Sequence, residues 1–216
     1  MEGEFKMDIK WLSHSNFAIE DKIRILIDPW ISQLAKIKLE DLVKYKPDLI
    51  LITHGHPDHG INEAIEIARK TNSTIVGVVE LAQYISQKGV KSIGLNIGGS
   101  FSYKDINIHV TPAIHTCPYA VPAGYVIEGN KVIYHAGDTS VTKEFEVISE
   151  MFNIDISLLP IGGTYTMSYK HMPIVKKYLK SKKYIGMHYD SFPSIKIDKQ
   201  EASKYIELME ISNLEL

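Results

Sequence analysis

Short, unbroken apolar runs alternate along the chain with stretches in which apolar residues recur every three or four positions. The first pattern predicts strands and the second amphipathic helices. Phe5 to Leu12, Asn16 to Ile19 and Ile23 to Ile27 read as strands, the last closed by the breaker pair Asp28 and Pro29. Asp48 to Ile52 has the character of a buried strand, after which Ile61, Ala64, Ile65 and Ala68 keep helical spacing up to Lys70. A strand at Thr74 to Val79, a helix from about Glu80 to Gln87 and a short strand closed by Gly98 and Gly99 follow.

The pattern then restarts. Ile106 to Thr111, Gly124 to Glu128 and Lys131 to His135 read as strands, with Gly129 and Asn130 as hairpin residues between the last two. Helix and strand alternate again at Thr142 to Met151 and Ile154 to Leu159, and at Tyr169 to Leu179 and Tyr184 to Met187. A final helix is expected over Lys199 to Met209. Strand-rich regions in both halves, each followed by helices, predict an α/β protein of two sheets with helices outside, a layering that buries both sheet faces. No composition shift, low-complexity tract or linker divides the chain, so one domain over residues 1–216 is expected.

Composition narrows the function. With 44% hydrophobic and 23% charged residues the chain has the makings of a sizeable core. No apolar run approaches the roughly 18 residues of a membrane span, and the opening MEGEFKMDIKW lacks a signal-like stretch, so a cytoplasmic protein without a membrane span is expected. The sole cysteine, Cys117, excludes an intramolecular disulfide. The formal charge is -2, and of the 24 basic residues only Arg24 and Arg69 are arginines. Without a basic stripe nucleic acid is disfavoured, and a small-molecule substrate is expected. Substrate anions would have to be met by metal, lysine or backbone amides. Self-association into a homo-oligomer stays open.

The segment Thr53-His54-Gly55-His56-Pro57-Asp58-His59 places four metal-competent side chains within six positions of an apolar strand. Alternating residues beyond a strand end turn two imidazoles toward one point, and the Pro57 bend lets Asp58 and His59 approach a second. That spacing suits two adjacent cations. Imidazoles and carboxylates without thiolate fit zinc, manganese, iron or nickel. Two divalent ions, zinc or manganese first, are the working expectation, with iron and nickel still open. Such ions lower the pKa of a bound water from about 15.7 to near 7, which argues for hydrolysis by an activated hydroxide. Asp58 is the candidate to orient it.

His-x-His-x-Asp-His after a strand resembles the signature of the metallo-β-lactamase superfamily. The remaining ligands of that family have counterparts in the same order: His115 in Pro112-Ala113-Ile114-His115, Asp138 in Ala136-Gly137-Asp138-Thr139, and His188 in Met187-His188-Tyr189. The resemblance implies that His54, His56 and His115 hold one metal, that Asp58, His59 and His188 hold the other, and that Asp138 bridges them. Trp11-Leu12-Ser13-His14-Ser15, Ile27-Asp28-Pro29, Tyr134 to Thr139, Leu159-Pro160-Ile161-Gly162-Gly163 and Met187 to Pro193 extend it to the branch containing ascorbate-6-phosphate lactonase and many compact hydrolases. That branch implies a four-layer αββα sandwich of two mixed sheets without an added nucleic-acid or lid domain.

The expected reaction is therefore cleavage of an ester, lactone or phosphodiester in a small molecule. The lactone follows the branch, and the phosphodiester follows a looser resemblance to N-acyl phosphatidylethanolamine phospholipase D. A β-lactam is a poor candidate without a secretory signal. Two alternatives share the fold. Di-iron oxidoreductases typically carry Glu in place of His56 and a flavin domain, and neither is expected here. RNA-processing nucleases carry an added RNA-gripping arm or domain, and the short length and the absence of a basic patch disfavour them.

Other residues divide between chemistry and structure. His14 is a candidate for the metal surroundings or the substrate, and Asp28 for orienting a ligand histidine through its free N–H, each weighed against a local turn. Gly163 lets backbone approach a substrate, and Thr164 or Tyr165 supplies polar contacts, against a plain turn. Thr53 and Thr139 flank ligands and read as structural. His135, His109 and His171 read as packed or hydrogen-bonded, and Cys117 as inert.

Overall fold

A computed structural model of the protein describes residues 7–214. Phe5 and Lys6, at the start of the first expected strand, lie outside that range. The first sheet has six strands in sequential spatial order. They are β1 (Asp8–Ser13), β2 (Asn16–Glu20), β3 (Arg24–Ile27), β4 (Leu49–Leu51), β5 (Thr74–Val78) and β6 (Ser92–Leu95). β1 to β3 form an antiparallel meander, and β3 to β6 run parallel. Parallel neighbours need crossovers. Here α1 (Leu39–Tyr45), α2 (Ile61–Thr71) and α3 (Val79–Ser86) supply them. The buried residues of α2 are Ile61, Ala64, Ile65, Ile67 and Ala68, the one-sided face that its spacing predicts.

The second sheet repeats the plan with seven strands. β7 (Ser100–Tyr103), β8 (Ile106–Pro112), β9 (Ala123–Glu128) and β10 (Val132–His135) are antiparallel; β10, β11 (Ile154–Pro160), β12 (Ser181–Met187) and β13 (Glu207–Leu208) are parallel. Crossovers contain α4 (Glu144–Met151), α5 (Met172–Tyr178) and α6 (Lys199–Ala202). This is the expected α/β pair of mixed sheets with helices.

Strand direction decides where chemistry collects. β1, β3 and β4 run one way in their sheet, and β8, β10, β11 and β12 share a direction in theirs. The loops that leave their C-terminal ends carry His14, Asp28 and His54 on one side and His115, Asp138, Gly163 and His188 on the other. Among the bonds that tie the sheets together at this end are two from β9. The Tyr125 hydroxyl on β9 donates to the Ile52 carbonyl (2.7 Å), and the Ala123 N–H donates to the Thr53 carbonyl (3.0 Å). Burial holds Tyr125 protonated, well above the ordinary phenol range, so the donor persists.

The clearest correction concerns the C-terminal segment. The helix expected over Lys199 to Met209 stops at Ala202, and Glu207 and Leu208 instead pair with Ile185 and Gly186 as β13. An open β12 edge presents unpaired backbone groups, and satisfying them overrides a helical spacing. The stretch Tyr169 to Leu179 begins with a 3-10 turn, Tyr169–His171, before α5. α1, β7 and β13 fall where the apolar pattern predicts no such element.

Candidate metal centre

The histidine-rich loop leaves β4, whose three residues are all buried. Thr53, His54 and His59 are buried, while His56 and Asp58 are partly exposed. Pro57–His59 forms one 3-10 turn with proline at its start, closed by Gly60 at φ +75°. A side chain at Gly60 would run into the Trp30 backbone, so only glycine fits this left-handed link into α2.

Asp28 organises this loop from the end of β3. Its carboxylate accepts from the Thr53 N–H (2.8 Å), the Thr53 hydroxyl (2.6 Å) and His59 Nδ1 (2.6 Å). The Thr53 hydroxyl hydrogen is thereby committed to Asp28, and its oxygen faces His54 Nδ1 at 3.0 Å. With Nδ1–H donated outward on both rings, the Nε2 lone pairs of His54 and His59 turn inward, the tautomer that a metal ligand needs. Asp28, at the end of β3, thus contacts both His59 and the threonine beside His54.

The second sheet contributes one residue at a time. His115 follows β8, Asp138 follows β10 through Gly137 at φ +61°, and His188 follows β12 at φ +55°. Asp138 Oδ2 faces the Nε2 atoms of His188 at 3.0 Å, His59 at 3.4 Å, His115 at 3.6 Å and His54 at 3.9 Å. His56 turns its Nδ1 inward, 3.0 Å from His54 Nε2 and 3.3 Å from His115 Nε2. The donor atoms of His54, His56 and His115 lie within 4.8 Å of one another, and so do those of His54, His59 and Asp138 and those of His14, Asp58, His59 and His188. All seven residues singled out as ligands converge.

This donor set fits divalent cations. His14 Nε2, His59 Nε2 and Asp138 Oδ1 are buried with no hydrogen-bond partner among the described residues. Each such atom costs about 1 to 3 kcal/mol unless something satisfies it. Electrostatics points the same way. Burial, reinforced by His59, holds His54 well below the ordinary histidine range, and burial lowers His115 against the pull of Asp138. Burial lowers His14 to about 4, with His188 adding to the effect. Burial opposes ionisation of Asp138, but His188 and His59 hold its carboxyl well below the usual range. Asp58 behaves alike: burial raises it, while the contact with His14 and the charge of His59 outweigh that. Burial also works against a charged His59, yet Asp138 and Asp28 favour its cation, a proton that a bound ion displaces.

The remaining candidates separate cleanly. Thr164 and Tyr165 line the cavity of about 540 Å³ over the centre, with His56, Asp58, His115, Asp138 and His188. Gly163, at φ +83°, forms a turn in which its N–H donates to Met167. The Thr139 hydroxyl accepts from the Ile114 N–H (3.0 Å), holding the His115 segment. His135 is satisfied by Ser15 and Gly137, His109 pairs with Glu128, and His171 accepts from the Ser168 N–H. The Cys117 thiol donates to Ala120. Sequence reasoning assigned no role to Ser191 or Thr116. Ser191 Oγ meets His14 Nδ1 at 2.9 Å, and Thr116 lines both the metal cavity and its neighbour. Ser191 stands inside the Met187 to Pro193 motif, but its contact with His14, like the place of Thr116, depends on how distant loops meet.

A paired-sheet fold whose strand ends converge on imidazoles and carboxylates is that of the metallo-β-lactamase class of metal-dependent hydrolases. The family model described as Beta-lactamase superfamily domain matches residues 23–189, and the chain belongs to that superfamily. Its relatives include the UPF0173 metal-dependent hydrolase of Pyrobaculum islandicum, 40% identical over 210 residues that span 93% of this chain and 92% of that one. The UPF0173 metal-dependent hydrolase of Staphylothermus marinus is 44% identical over 207 residues, 92% and 90% of the two chains. Among solved structures it is similar to Igni18, a novel metallo hydrolase from Ignicoccus hospitalis, at 37% identity and a TM-score of 0.88 over 96% of each chain. The chain is a metal-dependent hydrolase of this superfamily. Among the described residues no helix is long and apolar enough to cross a membrane.

Proposed function

We propose that the protein, as one domain over residues 1–216, hydrolyses an ester, lactone or phosphodiester bond in a small cytoplasmic molecule at a dinuclear metal centre. The observation that carries this reading is Asp138 Oδ2, which has four imidazole Nε2 atoms from both sheets within 3.0 to 3.9 Å of it. His54, His56 and His115 would hold one ion and Asp58, His59 and His188 the other, with Asp138 placed between the two sets. Bound there, two divalent ions, zinc or manganese, would supply hydroxide at neutral pH and polarise the bond to be cleaved. Asp58, ionised and 26% exposed at the cavity, accepts a hydrogen bond from the attacking water and orients it.

The surroundings suit a substrate with an apolar portion. The metal cavity adjoins a groove of about 850 Å³, and the two share His115 and Thr116. Val78, Ile97, Ala120, Val121 and Pro122 line the groove, a surface that favours alkyl or ring carbon over charge.

The test is elemental analysis of protein purified without chelators, followed by an ester, lactone and phosphodiester panel. Two zinc or manganese ions per chain, with turnover on one bond class abolished by chelation, support the reading. No bound ion after reconstitution with several divalent metals sinks it, and two irons shift it to redox chemistry.

A further inference from the structure

Two buried histidines lie outside the seven-residue set, and they differ in one respect. His135 is satisfied on both sides: Nε2–H donates to the Ser15 carbonyl (3.1 Å), and Nδ1 accepts from the Gly137 N–H (3.2 Å). His14 is satisfied on one side only. Its Nδ1 meets Ser191 Oγ at 2.9 Å, whereas its Nε2 is buried without a hydrogen-bond partner among the described residues. The Ser191 hydroxyl is placed to donate to the Tyr189 carbonyl (3.4 Å), which leaves its oxygen to accept from His14 Nδ1–H. That arrangement puts the lone pair on Nε2.

The ring is also held in place. His14 adopts φ +51°, and its carbonyl accepts from Trp11 Nε1 (2.9 Å) and from the His188 N–H (3.0 Å), which locks the end of β1 onto the end of β12. The His188 ring lies 3.9 Å away, and Trp30 and Phe192 approach edge-on at 5.0 and 5.7 Å. Nε2 points at Asp58 Oδ2 across 3.4 Å. A charge-assisted hydrogen bond between such groups runs about 2.7 to 2.9 Å. At 3.4 Å the pair is longer than that and Nε2 keeps no hydrogen-bond partner among the described residues, and a left-handed histidine with an unpartnered buried nitrogen is costly as plain packing.

We infer that His14 Nε2 is a metal donor, so that the second position is built from His14, Asp58, His59 and His188 with Asp138 shared. The inference rests on the dinuclear reading above and changes its symmetry. The first position has His54, His56 and His115 with the shared Asp138, one protein donor fewer, and it is the side from which the apolar groove opens at His115 and Thr116. The second position is then the tighter one, and the first keeps room for substrate.

His14→Asn tests this, because asparagine tolerates a left-handed backbone while removing Nε2. The metal-free protein is titrated with Zn²⁺, and Co²⁺ is used separately for its visible absorption, which changes with coordination number. Wild type is expected to bind two ions in two steps. In His14→Asn the tight step weakens by about 100-fold, the other is unchanged, and the Co²⁺ spectrum shifts toward lower coordination, with the metal-free melting temperature near wild type. Ser191→Ala, which keeps the donor but frees its ring, weakens the same step by about 10-fold, the scale of a lost outer partner. It also carries the test if His14→Asn fails to fold. Two ions bound with wild-type affinities and an unaltered Co²⁺ spectrum in the folded variants overturn the inference. Absence of any ion from wild type overturns it together with the dinuclear reading, which separates the two failures.

Discussion

The two sheets share a strand plan yet deliver their metal-facing residues by different means. The first sheet places His54, His56, Asp58 and His59 on one loop after β4, held from behind by a side-chain network through Asp28 and Thr53. The second places His115, Asp138 and His188 on three loops, aimed by strand ends and by left-handed backbone at Gly137 and His188. One half is a local motif with a bracket; the other is a product of register. Geometry in the first half should therefore respond to buried polar substitutions, and in the second to anything that moves a strand end.

The sharpest way to break the comparison is to remove the point where both halves meet. Asp138→Asn keeps the size of the side chain and takes away the negative charge that faces four imidazoles. On the proposed dinuclear reading, the variant should lose both ions under conditions in which wild type is expected to hold two. Hydrolysis should fall about a thousandfold or more, the several kcal/mol that metal activation contributes. Ion content and kcat/KM measure it together. Retention of both ions would show that the halves bind independently.

Next in size is the contrast between the bracket and its counterpart. Asp28→Ala leaves the Thr53 N–H, the Thr53 hydroxyl and His59 Nδ1 without their acceptor. Ion affinity should drop about 10- to 100-fold, and stability by about 1 to 3 kcal/mol for each donor left unsatisfied. Thr139→Val in the second half removes one bond to the Ile114 N–H and should cost about 1 kcal/mol, with ion affinity nearly intact. Metal titration and urea unfolding rank the two. Equal effects would mean that the second half depends on a bracket of its own.

The same asymmetry explains what the sequence made legible. Four donors within six positions after an apolar strand are conspicuous because the chain itself holds them close. His115, Asp138 and His188 stand alone among His109, His135 and His171, and only family resemblance picked them out. Telling His188 from His135 requires knowing which way β10 and β12 run and which nitrogen finds a partner. His14 was ambiguous for that reason, since its neighbours Ser191 and Asp58 come from distant loops. Helix α1 escaped because it is short and begins after Lys38, whose side chain makes no cap hydrogen bond of the usual kind from a Ser, Thr, Asp or Asn. β13 escaped because edge pairing outweighs local periodicity.

The smallest effect tests His135, the buried histidine of the second half that stands outside the proposed metal set. Burial lowers the pKa of His135 from the ordinary 6.5, and its Nδ1 already accepts from Gly137, so protonation both charges a buried ring and opposes that N–H. A lowered folded value means that the unfolded chain binds more protons just below pH 6.5. The stabilisation from neutral His135 is therefore fully present above that pH and is lost as pH falls toward the folded value. His135→Gln, neutral throughout, should lose stability less steeply on acidification, by at most about 1.4 kcal/mol per pH unit. Urea unfolding of the chelator-treated protein from pH 7.5 to 5.5 reads the difference. His14, His54 and His115 are lowered as well, so a decline persists in the variant, and His59 works in the opposite sense. Parallel slopes for the two proteins would show that His135 takes up no less charge in the folded chain than in the unfolded one. Zinc stoichiometry at pH 7.5 should not change with His135→Gln, which separates this residue from His188, its counterpart two strands away.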